Sequence, residues 1–134
     1  MHSRHEAIVA AVRACCGTRF RPQGQLPGVG LDCIGVAVVA AAAAGVTVDV
    51  PAYCLGGDHE ARLNAAVQAI GCRPVTTPAA GDLLVLAPGL RRRHLAIVVP
   101  GGIVHAHAGL GRVVEGPCDP AWSTVGAWRF PDQE

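Results

Sequence analysis

The stretch Leu31-Asp32-Cys33-Ile34-Gly35-Val36-Ala37-Val38-Val39, continued by an alanine run over 40–44 and stopped by Gly45, decides the fold. It is apolar on every side. Its valines would suit a strand, but its length and its alanines predict a buried helix. Asp32 is a good N-cap, so this helix begins at Cys33. The first turn of a helix offers free backbone N–H groups and the positive end of a dipole, and both favour a thiolate. Cys33 is therefore a candidate nucleophile, against the plainer alternative of a small core residue.

Working outward, Ser3 and Glu6 fit a capping box, and Ile8, Ala11, Val12 and Cys15 recur at helical spacing. The first helix is expected over residues 4–16, with Gly17 as its stop. Residues 17–31 carry Gly17, Gly24, Gly28, Gly30, Pro22 and Pro27, which predict a loop. A loop of that length is often functional. On the other side, Asp58 caps a third helix along Leu63, Ala66, Val67 and Ile70, ended by Gly71. Beyond Gly81 the texture changes to short, turn-bounded strands at 83–87, 94–99, 103–107, 112–115 and 125–130. Pro100-Gly101-Gly102 predicts a hairpin turn. Helices followed by an antiparallel meander make an α+β pattern, in one domain over residues 1–134.

Composition narrows the functions. Hydrophobic residues make up 51 % of the chain and charged ones 16 %, which supports a filled core and excludes disorder. The net charge is +1, too weak a field to make nucleic acid the expected partner. Residues 1–16 lack the shape of a signal peptide, and the apolar run from Ile34 to Val46 is shorter than the roughly 20 residues that span a bilayer. Synthesis in the cytoplasm without membrane insertion is the expectation. The six cysteines show no framework spacing and no C-x-x-C pair, so free thiols in a reducing compartment are expected.

A nucleophilic cysteine needs an imidazole as general base and later as general acid. His94, at the start of a predicted strand, is the candidate base. His105 and His107 follow on the next strand, and alternation puts both on one face. Either one could orient His94. A two-residue turn at Pro100-Gly101 sets His107 opposite His94, whereas a wider turn favours His105. The same three histidines could instead ligate zinc. Gln23, in the glycine-rich loop, is a candidate amide donor to an oxyanion. Arg91, Arg92 and Arg93 form either a solvated loop or an anion contact. Asp82 fits a turn before a strand, and Trp122 and Trp128 are expected in the core or at its lip.

In order along the chain, Gly17-Thr18-Arg19-Phe20, Gln23-Gly24, Leu31-Asp32-Cys33-Ile34-Gly35, Gly81-Asp82-Leu83-Leu84-Val85, His94-Leu95-Ala96-Ile97-Val98 and Ile103-Val104-His105-Ala106 resemble the NlpC-type cell-wall cysteine peptidases. Val113-Val114-Glu115 and Trp128-Arg129-Phe130-Pro131 extend the likeness toward the branch found in tail modules of phages and gene transfer agents. The resemblance implies a papain-like α+β fold, with N-terminal helices, one beginning at the nucleophilic cysteine, packed on a C-terminal antiparallel sheet. It implies hydrolysis of amide bonds in the peptide stems of peptidoglycan without cofactor or metal. It assigns Cys33 as nucleophile, His94 as base and His105 as the third, orienting residue. It places Gln23 and Asp32 in the oxyanion or substrate-binding region. Its implied partners are peptidoglycan stems and tail hub or tip proteins, with the chain incorporated into a phage-like tail. Many relatives carry a tyrosine upstream of the cysteine; here that stretch is Phe20-Arg21-Pro22-Gln23-Gly24, which leaves Gln23 to substitute. A structural tail component on the same scaffold, or an acyl transferase, would share these residues.

Overall fold

The computed structural model describes residues 4–22, 24–47, 59–90 and 92–131. In chain order the elements are α1 (Arg4–Ala14), β1 (Gln25–Leu26), β2 (Gly30–Leu31), α2 (Cys33–Ala43), α3 (His59–Ile70), β3 (Arg73–Pro74), β4 (Leu83–Gly89), β5 (Arg92–Val99), β6 (Gly102–His107), β7 (Arg112–Gly116) and β8 (Ser123–Arg129). The fold is α+β, as expected. Ser3 and Asp58, the expected caps of the first and third helices, lie outside the described residues. Among the described residues no helix is long and apolar enough to cross a membrane.

Asp32 starts α2 as its sequence suggests. Its backbone is extended and its Oδ1 accepts a hydrogen bond from the Gly35 N–H at 2.8 Å. That satisfies one of the four donors a helix start leaves open. The helix then buries Cys33, Ile34, Val36, Ala40 and Ala41. Small side chains let α2 lie close to α1 and to β5 and β6.

The main sheet is antiparallel throughout, in the order β3-β8-β4-β5-β6-β7. It corrects the expected simple meander. Strands β4 to β7 do follow one another, but β8 returns across the sheet to pair with β4, and β3 pairs with β8. Leu83 to Leu86 are buried in succession, because both faces of β4 are covered. One face, with Leu83, Val85, Leu95, Ile97, Val104, Ala106 and Val113, packs under Ile8, Val12, Val36 and Ala40 of the helices. The other, with Leu84, Leu86, Ala96 and Ile103, packs under Trp122 and Cys118.

The segment expected as an open loop over 17–31 is hydrogen-bonded along much of its length. Gly17 N–H donates to Val113 O, Val113 N–H to Thr18 O and Phe20 N–H to Gly111 O, at 2.8–2.9 Å. The segment thus straps the outer edge of β7, then turns back through the small β1–β2 hairpin. A sheet edge leaves polar backbone groups open, and the strap closes those at the Gly111 carbonyl and at Val113.

Asp82 closes the expected turn before β4, its N–H donating to Ala79 O at 3.0 Å, and it is also fully buried. Arg129 donates to it through two nitrogens at 2.8 and 2.9 Å, and the Ala79 N–H donates to Oδ2 at 2.8 Å. The pair ties the start of β4 to the end of β8. Removing one partner of a buried ion pair strands the other. Asp82→Asn is expected to cost about 3 kcal/mol of stability, measured by urea unfolding; a loss under 1 kcal/mol would show that the pair is not a structural tie.

Candidate active site

Cys33 occupies the first position of α2 and is 2 % exposed. Burial pushes its thiol up to about 11, with a further push from the Asp32 carboxylate. The backbone N–H groups of Leu95, Ile34 and Cys33 point at the sulfur and pull the other way. Leu95 directly follows His94 on β5, so the sulfur lies against the backbone next to His94.

The helix start reaches this position because of two glycines. A Cβ on Gly35 would lie 2.1 Å from the Gly24 carbonyl oxygen, and one on Gly24 would lie 2.6 Å from the Gly30 oxygen. The Gly24 carbonyl accepts from Asp32 N–H at 3.1 Å. The backbone on the C-terminal side of Gln23 is thereby seated against the first turn of the cysteine helix. Gln23 itself lies outside the described residues. Asp32 caps the helix: it is 2 % exposed, its Oδ1 accepts from the Gly35 N–H, and as a carboxylate it cannot donate to an oxyanion.

His94 Nε2 and His105 Nδ1 are 2.8 Å apart, with the rings edge to face. The β5–β6 turn is the two-residue Pro100-Gly101 turn, and the ladder pairs Val99 with Gly102, Val98 with Ile103 and Ile97 with Val104. Continued, that register sets His107 opposite His94. The ladder stops at Ile97, however, and the imidazole reaches diagonally to His105. His107 takes another place: its Nδ1 accepts from Leu110 N–H at 3.0 Å and its ring stacks on Trp122. Trp122 also touches His94 and His105 edge to face, at 5.2 and 5.9 Å between centroids. It stands in an irregular segment, where no periodic signal marks it, and only the expectation of a lip residue came near its place.

His94 and His105 are each pulled down to about 4, chiefly by burial. His94 is lowered further by charge on His105, His107 and Arg92, and His105 by charge on His107. At neutral pH the imidazole and the thiol both rest uncharged. If His94 carries its proton on Nε2 and donates to His105 Nδ1, its own Nδ1 is left as the acceptor that a general base needs. Arg91 lies outside the described residues and Arg92 is exposed. Among the described residues no group of His, Cys, Asp or Glu is arranged to hold a metal ion, and the facing nitrogens of His94 and His105 are hydrogen-bonded rather than spread around a cation.

No protein-family model matches the chain, and no curated protein matches it. Among solved structures, the chain superposes on NlpC1 from Trichomonas vaginalis with a TM-score of 0.70 over 95 % of its own length. The fold is NlpC-like. Sequence identity in that match is 15 %, and the chain spans 44 % of the length of the Trichomonas chain. The likeness covers the fold: helices set against an antiparallel sheet, in the order that the sequence resemblance implies.

Two imidazoles held near 4 when folded titrate near 6.5 when unfolded. Between those values the unfolded chain binds more protons, so stability falls as pH drops from 6.5 to 4. The urea midpoint is expected to decline across that window, and less steeply in His105→Gln; equal slopes would show that His105 is not held neutral by the fold.

Proposed function

We propose that this protein is a cysteine peptidase that hydrolyses amide bonds in the peptide stems of peptidoglycan. The observation that carries the reading is the His94–His105 hydrogen bond on the strand whose Leu95 N–H faces the Cys33 sulfur, within an NlpC-like fold.

The neutral resting pair sets the order of events. His94 takes the Cys33 proton as the sulfur attacks the stem carbonyl, so charge is created only with substrate in place. The N–H groups at Cys33 and Ile34 that face the sulfur are suited to the oxyanion, with the Gln23 amide as the added donor. His105 Nδ1 accepts from the His94 imidazolium and steadies it. His94 then returns the proton to the leaving amine, which departs and leaves a thioester on Cys33. Water, deprotonated by His94, attacks the thioester; the acid product leaves and the proton returns to sulfur.

The wider setting follows from the sequence resemblance. The chain acts within a phage-like tail, bound to hub or tip proteins, and opens the wall locally during DNA delivery.

The direct test is incubation of the protein and its Cys33→Ala variant with muropeptides in the presence of a chelator, followed by mass spectrometry. New stem fragments from the unaltered protein alone are expected. Cleavage that survives Cys33→Ala, or that chelator abolishes, would overturn the cysteine mechanism. A high thiol pKa also predicts slow alkylation at pH 7. Iodoacetamide should label Cys33 faster as pH rises toward 11; a rate already maximal at pH 7 would mean a preformed thiolate.

A further inference from the structure

The strand register lines up a row of basic side chains beside the histidine pair. His107 on β6 is directly opposite Arg112 on β7, and Arg112 is directly opposite Arg19 in the strap. Directly opposed residues of antiparallel strands project from the same face. Here it is the face turned away from α1 and α2, because Val113, the next residue along β7, packs on the helix side. It is also the side on which Trp122 stacks on His107.

Arg19 and Arg112 meet in the closer of the two antiparallel pair types. The flanking bonds, Phe20 N–H to Gly111 O and Val113 N–H to Thr18 O, mark a non-hydrogen-bonded pair, whose side chains stand nearest to each other. Like charges so placed destabilise a sheet. Both arginines are exposed, and among the described residues neither forms an ion pair with a carboxylate. The acid on the same strand, Glu115, projects to the helix side and is held there by Arg13 at 3.0 Å. Two guanidinium groups in register, one and two strands out from His107, suit an anion with two acceptor oxygens.

We propose that Arg19 and Arg112 form a carboxylate-binding subsite that selects acidic peptides and fixes their direction across the site. This deepens the peptidase reading and rests on it. The carboxylate bridges the two guanidinium groups, relieves their repulsion and anchors the peptide one strand beyond His107, on the Trp122 side of the sheet.

The test uses binding without turnover. In a Cys33→Ala background, a stem peptide with a free side-chain carboxylate is titrated by calorimetry against the same peptide amidated there. The free acid is expected to bind about tenfold more tightly, and Arg19→Gln or Arg112→Gln to remove about threefold each. Arg73→Gln, an exposed arginine on β3, should change nothing. Either active-face substitution should also raise Tm by about 1–3 °C, since it removes a like-charge pair. The proposal is overturned if amidation or arginine loss leaves the affinity unchanged, if Arg73→Gln weakens binding equally, or if the acid peptide does not bind. Failure of the peptidase reading is seen separately, as absence of cleavage with Cys33 intact.

Discussion

The site depends on how closely the first turn of α2 can approach the backbone around it. Gly35 lets the Gly24 carbonyl lie against the helix, Asp32 closes the turn from within, and the Leu95 N–H meets the sulfur from the strand side. Each contact is made by backbone or by a capping atom, so the position of Cys33 is set without help from long, mobile side chains. The all-apolar remainder of α2 then fixes the helix on the sheet. Burial supplies the adhesion, and the glycines supply the clearance that brings the reactive end into place.

That placement has an electrostatic consequence. Burial raises the thiol and lowers the imidazoles, so the functional groups are held in their neutral forms. A buried charge pair would need compensation along the whole wall of the site. A neutral pair needs only the His94–His105 hydrogen bond and the cover of Trp122. Arg92 adds to the bias, since positive charge nearby opposes protonation of His94.

The parts that were legible in the sequence are those governed by local rules. Asp32 before an unbroken apolar run marked the start of α2. Short strands after Gly81 marked the sheet, and Pro100-Gly101 marked the hairpin. What was hidden depends on partners far away in sequence. The turn at Asp82 was legible, but its buried ion pair was not, because Arg129 lies 47 positions away. The loop over 17–31 looked open because the edge it straps belongs to β7. The return of β8 beside β4 has no local signature at all. Between His105 and His107, turn length pointed to His107 and family likeness to His105. The hydrogen bond goes to His105, because the ladder ends before His94 and lets the ring lean diagonally.

The two borders of the sheet are closed in different ways. On one side the Gly17–Thr18 segment occupies the bonding groups of β7. On the other, β3 is two residues long and ends in Pro74, which has no N–H to offer. Among the described residues, each border is thus interrupted as a template for a further strand. In a crowded solution, both features would work against propagation into a continuous sheet.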